Sequence, residues 1–267
     1  MRFFLVVLLL CLASCSNQEK QSQQTKSTGV NICRYSKYLG VFKTKNGYLI
    51  RIQHPDNQKK RFQFYVSNAA QHLAVLSSTH IGMLSALNEE KRIAAITDIR
   101  YVYSPLVKKR FKQKHMVALQ NEQTMSVDQL LRSKSEYVVY SAFSGSFSQE
   151  ERLEKLGIHC IPNFDWREQT ALGRAEWLLL FGVLSAKVPE AVELFKSIEI
   201  AYERAKKENV NSKEMISGNV TGDFWYAPAG QSFMSELFKN SGLNYIYHGT
   251  KGTGSLAYSM EKVMKDG

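Results

Sequence analysis

The chain has 267 residues, 44% of them apolar, and 35 lysines and arginines against 24 aspartates and glutamates, a net charge of +11. That length admits a large core or two lobes of ordinary domain size, and no internal apolar run is long enough to cross a membrane. The basic residues lie in short, scattered clusters such as Lys59-Lys60-Arg61 and Lys108-Lys109-Arg110, with no helix-turn-helix, zinc-finger or aromatic-basic RNA signature, which argues against nucleic acid as a partner.

Met1-Arg2 followed by the apolar run Phe3 to Leu12 reads as an export signal over residues 1–14. It ends Leu12-Ala13-Ser14-Cys15, the pattern of a bacterial lipobox, in which small residues admit the signal peptidase and the Cys15 thiol takes the lipid. Residues 15–30 are rich in Gln, Ser, Lys and Asn, without apolar periodicity, and read as a lipid-attached tether. Beyond Cys11 and Cys15 only Cys33 and Cys160 remain. They are far apart, without Cys-x-x-Cys or His spacing, so no metal site is expected; one disulfide and two buried thiols stay equally open.

Residues 31–66 read as a small antiparallel meander. Tyr48 to Ile52 and Phe62 to Val66 are β-branched and aromatic, Asn46-Gly47 is a favoured hairpin turn, and His54-Pro55-Asp56-Asn57 makes a second turn. Over 67–185 strands and helices alternate. Leu73 to Leu76 reads as a buried strand, Ser77-Ser78-Thr79-His80 as a polar turn, and Ile81 to Leu87 as a helix closed by Asn88. Arg92 to Ile96 is the next strand. A loop with Tyr101, Tyr103 and Pro105 and a basic stretch then lead to a helix capped by Ser126, with Asp128 in its first turn. Glu136 to Tyr140, a Gly/Ser/Phe loop over 141–148, a helix from Glu150 stopped by Gly157, and a strand over 158–161 complete the lobe. Such alternation predicts a mostly parallel sheet with ligands bound at the carboxyl ends of its strands.

From Gln169 to Asn209 the pattern is helical, with a break near the middle. The first part runs to Leu184. The second opens at Pro189, suited to a first helical turn, places Val192, Phe195, Ile198, Ala201 and Tyr202 on one face, and ends in Lys206-Lys207. Residues 186–212 are therefore expected to form one long connecting helix. In residues 213–267 the alternation restarts: a weak strand over 215–220, a loop carrying Trp225 and Tyr226, a helix over 232–240, a strand over 244–247, and a glycine-rich loop. Ser259-Met260-Glu261-Lys262-Val263-Met264 has the form of Ser126-Val127-Asp128-Gln129-Leu130-Leu131, a cap followed by an acid in the first turn. The pair points to an internal duplication. The first copy continues into a further helix and strand, so the second lobe is expected to be incomplete, as in a truncated frame or fragment.

These features resemble the periplasmic substrate-binding proteins of iron-chelate and cobalamin importers. The residues that carry the likeness are the strand–Ser77-Ser78-Thr79-His80–helix opening, Asp165-Trp166 with Leu172-Gly173-Arg174-Ala175-Glu176-Trp177, and the two acidic helix starts. The chain most resembles the lipoprotein members of Bacteroides type, which carry a similar antiparallel extension. The resemblance implies an α/β protein of two Rossmann-like lobes with mostly parallel sheets joined by a single long helix. It also implies capture of a siderophore-bound iron, haem or cobalamin in the cleft, and delivery to an inner-membrane ABC permease with its ATPase. By position, Asp128 and Glu261 are the permease-docking carboxylates; Asp128 departs from the usual glutamate and is shorter by one methylene. Thr79, His80, Tyr101, Tyr103, Phe143 and Trp166 of the first lobe and Trp225 and Tyr226 of the second are the expected cleft residues. Their aromatic faces suit a flat macrocycle or catecholate.

The sequence lacks Gly-x-Ser-x-Gly, His-Glu-x-x-His and a phosphate-cradling glycine loop followed by Lys-Ser/Thr, so no enzyme is expected and no resident cofactor. The competing readings are a surface lipoprotein that captures a metal complex without a permease, and a non-functional truncated copy.

Overall fold

The computed structural model describes residues 29–121, 124–143, 147–208 and 213–267. The export signal, Cys15 and most of the tether lie outside the described residues.

Three antiparallel strands, β1 (Leu39–Thr44), β2 (Gly47–Gln53) and β3 (Arg61–Val66), form the expected meander in that order. Their alternation buries Val41, Ile50, Ile52 and Val66 against the body and turns Arg51, Gln63 and Tyr65 outward. The first lobe follows as β4 (Leu73–Val75), α1 (Ser78–Ala86), β5 (Ile93–Ile96), α2 (Pro105–Lys112), β6 (Val117–Ala118), α3 (Val127–Arg132), β7 (Tyr137–Tyr140), α4 (Glu150–Lys155) and β8 (His159–Pro162). The strands join into one five-stranded parallel sheet of order β6-β5-β4-β7-β8. β4, β5 and β7 are almost wholly buried, as strands covered by helices on both faces must be. Helix α2 was expected only as a basic stretch. Its start is nonetheless ordinary: the Ser104 hydroxyl accepts from Val107 N–H and Pro105 occupies the first turn.

The central helical stretch comprises α5 (Ala171–Ala175), α6 (Leu178–Leu184) and α7 (Val188–Glu208). Every residue of α6 is buried, so its Leu-rich sequence is that of an interior helix rather than an amphipathic one. Gly182 lets it approach α7: a Cβ there would stand 2.6 Å from the Ala191 Cβ. α7 spans about 31 Å at 1.5 Å per residue. It docks on the first lobe through Val188 and Ala191, and its Phe195 ring lies 5.9 Å from that of Tyr35 in the N-terminal segment. Val192 and Ile198, expected on the buried stripe, are 42% and 38% exposed, and Ala201 is exposed as well. Phe195 is buried and Tyr202 half-buried as expected, and the fully buried part of the face is confined to the first half of the helix. Farther on, the Tyr202 hydroxyl accepts a 2.9 Å bond from Asn240 Nδ2 in the second lobe, as a strut between lobes should.

The second half holds β9 (Lys213–Met215), β10 (Asn219–Thr221), β11 (Phe224–Pro228), α8 (Phe233–Asn240), β12 (Leu243–Tyr245), β13 (Ser255–Ser259) and α9 (Met260–Asp266). β9 and β12 pair in parallel, whereas β10, β11 and β13 form an antiparallel sheet. The stretch expected as a loop around Trp225 and Tyr226 is thus a strand, and most of the glycine-rich loop's far side is another. The Phe-Trp-Tyr run has the β-propensity to explain this. A small separate core gathers Ala227, Phe238, Tyr245 and Tyr247, with Tyr258 stacked on Tyr247 at 4.5 Å.

The N-terminal segment is tied to the first lobe through two buried carboxylates. Glu176 accepts from the backbone N–H groups of Arg34, Tyr35 and Ser36 at 2.6, 2.8 and 2.6 Å. Glu168 accepts from those of Lys37 and Tyr38, from the Ser36 hydroxyl and from Trp177 Nε1. Each carboxylate is thereby paid its lost hydration in charge-assisted hydrogen bonds. Cys33 and Cys160 are separate buried thiols, each pushed far up from its ordinary pKa by burial.

Candidate functional site

The strand order reverses at β4: successive strands are added on one side as β5 and β6, then on the other as β7 and β8. Parallel sheets open a crevice at the carboxyl ends of strands beside such a reversal. Here the loops leaving all five strands surround it. A cavity of about 650 Å³ lies among the loops after β5, β6 and β7, and its polar groups come from Thr97, Asp98, Arg100 and Asn121. Tyr101, Phe111 and Phe143 give it aromatic walls. A smaller hollow of about 190 Å³ adjoins it and shares Thr97, Asp98 and Tyr101, adding Ser77 and Ser78 after β4.

Several groups are held in place by short bonds. Asp98 caps its turn by accepting from Arg100 N–H at 2.9 Å, and it also pairs with the Arg100 guanidinium at 2.5 Å. The Arg100 side chain holds the Asp98 carboxyl below its usual range. The pair leaves the outer guanidinium N–H groups turned to solvent, since the Arg100 side chain is 79% exposed. Trp166, in the turn after β8, donates its indole N–H to the Ser141 carbonyl at 2.7 Å, and its ring lies 5.0 Å from that of Phe143. The loops after β7 and β8 are thus bonded together with two aromatic faces at the rim.

The structure sorts the expected residues. Tyr101 and Phe143, 61% and 66% exposed, line the cavity, and the Trp166 ring lies tilted beside that of Phe143. Thr79 is exposed at the start of α1, next to the small hollow. Tyr103 stands almost fully in solvent on the way to α2. His80 does not belong to the cleft. It is fully buried under α1, its ring 5.6 Å from Phe181, and neither ring nitrogen has a hydrogen bond of good geometry. Burial pulls its pKa down to about 3, with the Val139 backbone opposing weakly. In the second lobe Trp225 is half-buried against the small core and bonds the Ser217 carbonyl, while Tyr226 on the opposite face of β11 is exposed. Asp128 and Glu261 are both exposed at the starts of α3 and α9, under the Ser126 and Ser259 caps. Because α3 follows β6, its N-terminus lies at the same edge of the sheet as the crevice.

Arg100, Asp98 and Phe111 were not expected from the sequence. Asp98 and Arg100 had a usable signal, a charged pair directly after an apolar strand; Phe111 sat in a stretch taken as merely basic. The two lobes meet at the rim through Arg174. Its guanidinium donates to the Trp166 carbonyl at 2.9 Å and lies 3.6 Å from the centre of the Phe233 ring, at the first residue of α8. Among the described residues no three His, Cys, Asp or Glu side chains gather as a metal cage.

The fold is that of the periplasmic binding proteins, with a parallel-sheet lobe, a long helix and a second lobe of small sheets. Solved structures of this fold include the petrobactin-binding protein YclQ of Bacillus subtilis, 14% identical with a TM-score of 0.61, matched over 82% of this chain and 74% of that one. The periplasmic haem-binding protein HutB of Vibrio cholerae is 13% identical with a TM-score of 0.58, over 73% of each chain. In sequence the chain is similar to an uncharacterized lipoprotein of Methanocaldococcus jannaschii, 23% identical over 198 residues, or 70% of this chain. It spans about half of that relative, 47% of its length. No protein-family model matches the chain.

Proposed function

We propose that this chain is the capture component of an ABC importer, anchored in the cell envelope by a lipid on Cys15. It takes a metal chelate, an iron complex of siderophore or haem type or a cobalamin, and delivers it to an inner-membrane permease and its ATPase; it is not an enzyme. The observation that carries this reading is the surface at the carboxyl ends of the parallel sheet. Tyr101, Phe143 and Trp166 present ring faces there, and Arg100 presents a guanidinium, over a cavity large enough for a small ligand. Ring faces stack on flat macrocycles and catecholates, and a guanidinium pairs with the carboxylates or phenolates such chelates carry. The fold shared with petrobactin- and haem-binding proteins, and the likeness to a lipoprotein, support the same reading. Asp128 and Glu261 are the proposed permease contacts. Such exposed charges act mainly on encounter rate and register.

The test is a titration of the lipid-free chain with a ferric catecholate, haem and cobalamin, read by tryptophan fluorescence. One of the three should quench the signal, and Trp166→Phe should remove most of the change. A flat response to all three refutes the proposal.

A further inference from the structure

The chain's positive charge is concentrated in the segment that holds its N-terminal antiparallel sheet. Residues 31–66 hold eight lysines and arginines against one carboxylate, Asp56, so that this segment accounts for +7 of the net +11. Asp56 is itself taken up by Arg167 at 2.5 Å. On the outward face of the meander, Gly40, Arg51 and Gln63 share one cross-strand row, and Gln53 pairs with Arg61. Together with the Ser36–Lys37 loop they enclose a hollow of about 410 Å³. Lys37, Arg51 and Arg61 all line it, no carboxylate does, and none of the three cations meets one among the described residues. The Arg51 guanidinium lies 4.7 Å from the Phe42 ring, and Arg61 is steadied by the Gln53 side-chain oxygen at 2.9 Å. Tyr65, 54% exposed, stands on the same face.

The position of the chain's entry into this sheet matters as much as its charge. Residues 29–32 run along the free edge of β1: Gly29 packs on Lys43, Asn31 bridges Phe42, and Ile32 N–H bonds the Val41 carbonyl at 2.8 Å. Asn31 itself lines the hollow. The chain that leads back to Cys15 therefore leaves from the rim of the basic face.

We propose that the outward face of the meander docks on the anionic phospholipid surface of the membrane that carries the lipid anchor. A headgroup phosphate sits in the hollow between Lys37, Arg51 and Arg61, and Tyr65 lies at the interface. The lipid on Cys15 would hold this face close to the bilayer, where each exposed lysine or arginine strengthens the attraction to anionic lipid. The inference rests on the envelope location proposed above but is independent of which chelate is carried.

The test uses the chain from residue 15 onward with Cys15→Ser, which keeps every described residue. It is sedimented with vesicles of phosphatidylcholine alone and of phosphatidylcholine mixed with phosphatidylglycerol. Binding is expected only to the mixed vesicles, and it should fall steeply with added salt. Lys37→Gln, Arg51→Gln and Arg61→Gln should each weaken it about fivefold, and all three together on the order of a hundredfold. Lys239→Gln with Lys251→Gln, in the second lobe, should leave it unchanged. Equal partition to both vesicles, no binding to either, or indifference to the triple substitution overturns the proposal. So does protection of the hollow by inorganic phosphate without vesicle binding, which would make it a soluble-anion site. Chelate titration of the same triple variant reports separately on the capture reading.

Discussion

Glu176 offers the sharpest test of how the N-terminal segment is held. Its carboxylate is fully buried and receives three backbone N–H groups, those of Arg34, Tyr35 and Ser36, all within 2.8 Å. Hydrogen bonds to a charged acceptor contribute about 1.5–3 kcal/mol each, and a donor left bare in the interior costs about 1–3 kcal/mol. Arg34 and Tyr35 are at the surface, so water replaces part of what Glu176→Ala removes. A loss of about 3 kcal/mol is the consistent figure, equivalent to a fall in Tm of roughly 6–12 °C for a chain of this size. Glu176→Gln keeps one acceptor but turns an NH2 group toward the donors, and should fall between. Thermal melts followed by circular dichroism measure the shift, and trypsin gives the local readout, because Arg34 and Lys37 become cleavable once the segment lifts. Arg34→Ala, which removes a surface pair with Glu199 and exposed guanidinium contacts with the Tyr35 and Phe195 rings, should melt far closer to wild type than Glu176→Ala does. A Glu176→Ala melt within about 2 °C of wild type, with Arg34 and Lys37 still protected, would refute the account, since a bond network of this size cannot be that small.

Three further outcomes follow from the same contacts. His80 is neutral in the fold with a pKa of about 3, against 6.5 when exposed, so the unfolded chain binds its proton first. Stability should therefore fall as pH drops from 6.5 toward 3, by up to about 1.4 kcal/mol per pH unit, and His80→Leu should flatten that limb of a Tm–pH curve. Phe233→Ala removes the ring under Arg174 and should lower Tm by roughly 2–4 °C, in line with about 1 kcal/mol for a partly exposed cation–π pair. It should also speed proteolysis of the second lobe; unchanged melting and cleavage would show that the lobes are held elsewhere. Asp128→Lys should impair uptake in cells while leaving chelate affinity intact in vitro, and unimpaired uptake would favour capture without a permease.

The alternating strands and helices of the first lobe were legible because each carries a local signature: a short apolar run, a Ser or Thr cap, a Gly or Asn stop. The second lobe was less so. Phe224–Pro228 and Ser255–Ser259 are short strands flanked by glycine and proline, and their antiparallel pairing arises from residues about 30 apart in sequence, with no periodicity to announce it. His80 looked like a ligand because it follows a polar turn. Its helix, however, turns Ile81 and Leu84 inward together with the imidazole, and burial decides its role. The Leu172–Trp177 segment was one of the stretches that carry the resemblance. Its role in the fold could not be seen, because the partners of Glu176 are main-chain N–H groups some 140 residues away, and main-chain donors leave no mark in a sequence.

The loop after β8 connects these observations. Arg167 in that loop ties to Asp56 of the meander, and the Phe164 ring lies 5.3 Å from His54. Trp166 between them bonds the loop after β7, and its carbonyl holds Arg174, which touches Phe233 of the second lobe. The meander, the first lobe and the second lobe thus converge within a few residues of one exposed aromatic face at the cleft. A ligand stacked on Phe143 and Trp166, as proposed above, would press on one of the places where the other two units are joined. On the proposed capture reading, occupancy would have a short, bonded route to the lobe contact at Arg174 and to the meander turn at Asp56, while α7 links the same units separately through Glu199 to Arg34 and Tyr202 to Asn240.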